Sequence, residues 1–420
     1  MVKIYRARIF SFPDPEFPQD YKDGFLAVSQ EGQIIDYGKW DRNKEKHYKK
    51  IAKQGKILDK RNLAILPGFI DVHLHLPQLF LRGHYGKTLL DWLNKYVIPA
   101  ESSITHPQKL ESNIKTFFYE MLRNGTTTSL IFSSSSKTVT DQAFSIARQL
   151  SVRAIIGKAM MDKKSSEMEV DSTEKSLSES IDLYEKWNGV NNLLYYAFSP
   201  RFAPATSEKL LRSVGKYCTT HSAYVHTHLA ETKEEVKLTR KLFPKYKTYT
   251  ELYYKTGILS PKTIIAHAIH LQESEYELLS KTQSKVAHCP SSNFFLHSGH
   301  ANTAKMEKYN ITIGLGTDVG GGPSFSLFSV MRDAYYVRHM PPSRAFYYAT
   351  LGGAKALSLD DRIGSLEIGK EADFIVVDYP HGCPKTASTE RVMAQLIFRG
   401  DDRLIKETYV RGKRIYKKTS

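Results

Sequence analysis

Two histidines stand where this chain first offers chemistry. His73 and His75 close the apolar run Leu66-Pro67-Gly68-Phe69-Ile70-Asp71-Val72. The run reads as a buried strand, and side chains two apart on a strand project from one face. Two imidazoles converging from a rigid strand end suit a metal ion, zinc above all. Alone, an H-x-H pair reads equally well as a core or surface pair. Its weight depends on partners elsewhere.

Those partners lie at the ends of other apolar runs. Tyr224–Leu229 carries His226 and His228, with Glu231 three residues further on. Thr263–Ile269 carries His267, with His270 close behind, and Gly314-Leu315-Gly316-Thr317 leads into Asp318. His226 and His228 share a parity, so spacing does not separate them. His228 is preferred because it lies nearer the strand end and opens His228-Leu229-Ala230-Glu231. His226 is then expected one layer deeper, as a hydrogen-bonded core histidine. Asp318 by itself reads as a turn aspartate beside Gly320-Gly321-Gly322. Four strand-end coincidences favour a metal site made of His73, His75, His228, His267 and Asp318.

Neutral imidazoles and one carboxylate leave zinc an open position for water, whose pKa falls to about 7. Glu231 is expected to take that water's proton and deliver it to a ring nitrogen or leaving group. His267 either holds the resulting hydroxide or completes the coordination shell. Asp318, besides binding metal, is placed to accept the second proton.

The elements that must position these groups form a pattern. Short apolar runs occur at Phe69–His75, Thr126–Ser133, Arg153–Met161, Asn192–Arg201, Tyr224–Leu229, Thr263–Ile269, Lys285–His288 and Ile311–Thr317. Longer amphipathic stretches such as Ser207–Tyr217 and Glu273–Lys281 separate them. Strands alternating with helices predict an α/β fold, a distorted (β/α)8 TIM barrel over 67–369, with its site at the C-terminal strand ends. A doubly wound open sheet is the competing arrangement, but no G-x-G-x-x-G follows the first strand. Both chain ends, 1–66 and 370–420, read as strands and hairpins and are expected to form one small β-sandwich domain. Glu31-Gly32 and Arg411-Gly412-Lys413 mark two of its turns.

Composition excludes some classes. Hydrophobic content of 41% and charged content of 25% are those of a soluble globular chain. Cys218, Cys289 and Cys383 are too few and dispersed for a disulfide framework, which fits a reducing cytoplasm. The first residues lack the apolar core of a signal peptide, and no run approaches membrane-span length. A net charge of +16 raises the question of nucleic acid. The basic residues are scattered along the chain, which favours a lysine-rich surface without a specific nucleic-acid or membrane partner.

With these residues in place, the chain resembles the amidohydrolase superfamily. The carrying motifs are Pro67 through His75, His228-Leu229-Ala230-Glu231, His267 and Gly316-Thr317-Asp318. More narrowly it resembles the guanine deaminase family. That likeness lies in His75-Leu76-Pro77-Gln78, Leu89-Leu90-Asp91-Trp92-Leu93-Asn94-Lys95-Tyr96, Pro99-Ala100-Glu101, Ser199-Pro200-Arg201-Phe202 and Ala287-His288-Cys289-Pro290-Ser291-Ser292-Asn293. The resemblance implies zinc-dependent hydrolysis of guanine to xanthine and ammonia in purine catabolism or salvage, by a homodimer. It implies that Gln78 and Arg201 contact the purine, with Phe202 and Trp92 beside it. Trp92 reads equally as a core aromatic. No lysine ends the fourth strand, where binuclear relatives carry one, so one zinc per subunit is expected. Gly320-Gly321-Gly322-Pro323 is richer in glycine and proline than the family pattern. The H-x-E with P-C-x-x-C signature of the other zinc deaminases is absent. The competing readings are an aminohydrolase of a pterin, triazine or adenine derivative, and a basic nucleic-acid-binding protein that retains a dead barrel.

Overall fold

A computed structural model describes residues 2–51, 56–86, 89–103, 107–163 and 170–419. Within the segment Leu89 to Tyr96, the side chains of Leu90 and Asn94 lie outside the described residues.

Eight strands follow one another around a nearly closed parallel barrel. They are Phe69–His75, Thr126–Phe132, Arg153–Gly157, Leu194–Pro200, Tyr224–Leu229, Thr263–His267, Lys285–His288 and Ile313–Leu315. Every one of the eight expected runs contains a strand. Their apolar character is nearly unbroken because such strands are covered on both faces. Asp318 N–H donates to the His73 carbonyl at 2.8 Å and His75 N–H to the Val319 carbonyl at 2.9 Å, tying the last strand's exit to the first strand. The third run is interrupted at Lys158, between Arg153–Gly157 and Ala159–Met160. Lys158 is fully buried and ion-paired with Asp171 at 2.8 Å and Glu179 at 3.2 Å, a structural role.

The strand exits share a backbone signature. Ala230, His267, Ala268 and Asp318 all have φ between 49° and 70°. The left-handed region costs an L-residue about 1–2 kcal/mol. Such strain gathers where a surrounding structure over-determines the conformation. Here it turns the chain sharply out of the ladder and leaves His267 and Asp318 at the barrel mouth. It also ends the sixth strand at His267, two residues short of the expected Ile269.

The chain ends form a separate sheet of seven strands. Its spatial order, by first residue, is Lys413, Ile405, Phe374, Lys56, Lys3, Gln19 and Ile34. All neighbours are antiparallel except the pair starting at Lys3 and Lys56. Alternate residues Tyr5, Ala7, Ile9 and Phe374, Val376 join Leu26, Val28 and Tyr409 in its core. The last hairpin turns at Arg411 (φ 48°) and Gly412 (φ 67°). Two positive φ values at a two-residue loop match the twist of antiparallel strands.

The chain divides into two compact units, Met1–Ile70 with Tyr119–Thr128 and Ser326–Ser420, and Asp71–Phe118 with Ser129–Phe325. Every candidate site residue lies in the second. Among the described residues no helix is long and apolar enough to cross a membrane.

Candidate active site

Four side chains converge at the barrel mouth. His73 Nε2 and His75 Nε2 lie 3.3 Å apart, and His228 Nε2 is 3.3 Å from His75 Nε2. Asp318 Oδ1 is 3.2 Å from both His73 Nε2 and His75 Nε2. His267 stands slightly apart, its Nε2 3.9 Å from Asp318 Oδ2 and 3.6 Å from Glu231 Oε2. These are ligand-type atoms aimed at one another, an arrangement able to hold a metal ion.

Each member is tethered from behind. His228 Nδ1 donates to the Arg201 carbonyl at 2.7 Å, which leaves its Nε2 lone pair free. His267 Nδ1 donates to Asn293 Oδ1 at 2.8 Å with the same result. His73 Nδ1 lies 2.7 Å from His226 Nε2. His226 is thus the deeper, hydrogen-bonded histidine that strand parity allowed. Such outer partners fix tautomer and ring orientation in metal sites. Asp71, wholly buried, accepts from the Thr317 backbone and hydroxyl and from His73 N–H, so one carboxylate ties the first and eighth strand ends. Ser292 Oγ donates to Asp318 Oδ2 at 2.5 Å.

The electrostatics suit metal ligation. Burial, above all, holds the pKa of His75 down to about 4 and that of His228 well below the ordinary imidazole value. Neutral imidazoles are the form that binds metal. Burial opposes ionisation of Asp318, yet His73, His75 and His267 around it keep its pKa well below the usual carboxylate range. Glu231 goes the other way. Burial first, then the charge of Asp318, pushes it up to about 8 against a 2.9 Å hydrogen bond from Ser298. Two carboxyl groups whose environments drive their pKa values apart are the mark of an acid–base pair.

The same cavity is lined by His75, His228, His267, Asp318 and Glu231, and also by Gln78, Arg201, Phe202 and Trp92. All the residues expected at the site are therefore in or directly behind one cavity. Trp92 has both of its anticipated aspects. It packs with Leu81, Leu89, Val97 and Leu296, donates Nε1–H to the His84 carbonyl at 2.7 Å, and faces the cavity.

The glycine-rich loop has a packing reason. A Cβ at Gly320 would meet Gln78 Cβ at 2.6 Å, and one at Gly321 would meet Ser292 Oγ at 2.8 Å and Asp318 Oδ2 at 3.1 Å. The loop backbone lies against site side chains where no side chain fits.

Some members went unread in the sequence. Glu101 accepts from Gln78 Nε2 at 3.2 Å and from Arg201 at 2.6 Å. It was legible only as part of Pro99-Ala100-Glu101. Glu235 lines the cavity and accepts the Glu231 N–H at 2.9 Å. Its signal was the capping box Thr232-x-x-Glu235 at a helix start. Asn293 was legible only as the end of Ala287-His288-Cys289-Pro290-Ser291-Ser292-Asn293, and Ser298 carries no local pattern that marks it.

Comparison with known proteins bears on this cavity. The model described as Amidohydrolase family matches residues 64–415. The chain is 36% identical over 410 residues to guanine deaminase of Escherichia coli, covering 94% of this chain and 92% of the relative. It is 33% identical over 383 residues to guanine deaminase of Dictyostelium discoideum, covering 87% and 85%. A solved guanine deaminase from C. acetobutylicum with guanine in its active site superimposes with a TM-score of 0.92 at 28% identity, covering 99% of this chain and 100% of that one.

Proposed function

We propose that this chain, which belongs to the amidohydrolase family and within it to the guanine deaminases, hydrolyses guanine to xanthine and ammonia with one zinc ion per subunit. His73, His75, His228, His267 and Asp318 are the residues proposed to hold the metal. A tetrahedron of ligands at the zinc–imidazole distance has edges of about 3.3–3.4 Å. The 3.2–3.3 Å separations of His75 from His73 and His228, and of Asp318 from His73 and His75, fit that figure. A bound zinc would supply Lewis acidity and lower the pKa of a water.

The remaining work falls to side chains. Glu231 takes a proton from water and returns it to a ring nitrogen or to the departing amine. His267, 3.6 Å from Glu231, either completes the coordination shell or holds that water. Asp318 accepts the second proton. At C2 the C–N bond breaks, a C–O bond forms, and ammonia leaves. Arg201 donates to O6 and Gln78 reads the neighbouring ring nitrogens, while Phe202 and Trp92 flank the ring. The observation that carries this reading is that Glu231, the histidine cluster and the Gln78–Arg201 pair line one cavity.

The test is an ammonia-release screen over free nucleobases, with xanthine identified as product and metal assayed on the same sample. Guanine is expected to exceed adenine by about 10⁴ in kcat/KM, because a site built on hydrogen bonds leaves buried groups unpaired with the wrong analogue. Comparable values for both would refute the purine assignment. We further propose a cytoplasmic homodimer acting in purine salvage. Sedimentation at a monomer mass would overturn the dimer.

A further inference from the structure

We propose, resting on the guanine reading above, that Glu101 is a positioning residue that selects guanine by locking Gln78 and Arg201 in one donor–acceptor arrangement. Glu101 lies on the short helix Ile98–Ser103 and is 4% exposed. Its Oε1 accepts from Gln78 Nε2 at 3.2 Å, and its Oε2 accepts from Arg201 at 2.6 Å. A carboxylate has no proton to give, so only the nitrogen end of the Gln78 amide satisfies it. That choice makes Oε1 the acceptor end of a side chain that lines the cavity. The backbone at Gly320, where a Cβ would stand 2.9 Å from Gln78 Oε1, confines the amide from its other side.

Arg201 is 8% exposed, and an unpaired guanidinium buried to that degree is costly. Glu101 neutralises it and leaves its other N–H groups as donors. The wall then offers an acceptor from Gln78 next to donors from Arg201. Guanine presents the complement on one edge, an N1–H donor beside the O6 acceptor. Adenine presents the reverse, an N1 acceptor beside an amine donor. Glu101 thereby sets the preference without touching the purine. An amide in its place could donate or accept, and Gln78 would be free to turn over.

The experiment compares zinc-loaded wild type with Glu101→Gln. It measures steady-state turnover of guanine and the competitive Ki of 2-aminopurine, which has the C2 amine but neither O6 nor N1–H. Guanine kcat/KM is expected to fall by about 10–10²-fold, mostly through KM, the range of a hydrogen bond to a charged group. The 2-aminopurine Ki and the zinc content are expected to stay within a few-fold of wild type, while Tm falls because the buried Arg201 loses its counter-charge. Equal weakening of both bases would reduce Glu101 to structural support and overturn the proposal, as would unchanged guanine kinetics. If Glu101→Gln does not fold, Glu101→Asp takes its place. It keeps the charge but shortens the reach, so a raised guanine KM supports the proposal and an unaltered one overturns it. Wild type that releases no ammonia from guanine would instead remove the functional reading itself, before any variant is compared.

Discussion

The two ends of the cavity are built on different principles. At one end, His73, His75 and His228 stand on barrel strands, and Asp318 follows the last strand directly. Their tethers come mostly from the barrel strands and their ends: the Arg201 carbonyl behind His228, His226 behind His73, and Asp71 between the first and last strand ends. At the other end, Gln78 sits on a 3₁₀ turn, Trp92 and Glu101 on short helices, and Arg201 just beyond a strand. There the Glu101 carboxylate fixes Gln78 and Arg201 side chain to side chain, while Trp92 is held by the His84 carbonyl. The barrel register places the first end almost independently of residue choice nearby. The second end exists only while its ion pair does. Damage at the first end should be all-or-none, and damage at the second graded and ligand-dependent.

The largest effect tests the first half of that contrast. His73→Ala or Asp318→Ala is expected to lose metal and turnover together, by more than the roughly 10⁴-fold that acid–base catalysis alone supplies. Full metal occupancy with normal ammonia release in either variant would break the assignment of that end.

Next comes Glu231→Gln, which keeps the shape of the side chain but cannot carry a proton. Turnover is expected to fall about 10²–10⁴-fold while zinc content and Tm hold. A rate within a few-fold of wild type would move the proton transfer to another group, with Glu235 in the same cavity the first to examine.

At the purine end, Arg201→Met should lower guanine kcat/KM by about 10²–10³-fold, the usual loss for one preorganised donor. It should also lower Tm, because removing one partner of a buried pair costs about 3–5 kcal/mol. That stability loss follows from the contact with Glu101 and is absent from a reading of Arg201 as a substrate contact alone. Adding Glu101→Gln to the same chain should recover Tm but not rate. An unchanged Tm in Arg201→Met would show that the pair contributes little to the fold.

The smallest effect concerns the loop. Gly320→Ala introduces a methyl 2.6 Å from Gln78 Cβ and must displace one of them. Guanine KM is expected to rise by about 3–10-fold, with a cost to stability in the range of about 1–3 kcal/mol for overpacking. Metal content should not change. Loss of zinc in this variant would mean the two ends are mechanically coupled, which the contrast above denies.

Much of the metal end was legible without coordinates. Parity places His73 beside His75, the apolar runs name their own strands, and a parallel barrel gathers strand ends whatever their separation in sequence. The order of His73, His228, His267 and Asp318 along the chain therefore mattered little. Parity alone did not choose His228 over His226. Position along the strand did, and the structure shows why both histidines serve, one aimed into the cluster and one hydrogen-bonded to His73. The left-handed exits at Ala230, His267 and Asp318 had no signal, because none of these residues is glycine.

What the sequence by itself determined, then, is whatever follows from period and chemistry along a single element. This covers the barrel's strands, the hairpins at the chain ends, the residue types able to hold a metal and the proposed proton carrier Glu231. What only the tertiary structure decided is everything that depends on two side chains remote in sequence meeting in a low-dielectric cavity. Glu101 between Gln78 and Arg201, Asn293 behind His267 and Ser298 on Glu231 are of this kind. The physical reason is one of range. Strand period and helix caps are set by neighbours a few residues away, whereas a buried ion pair is selected by the desolvation it must offset. That cost exists only once the fold has closed around it.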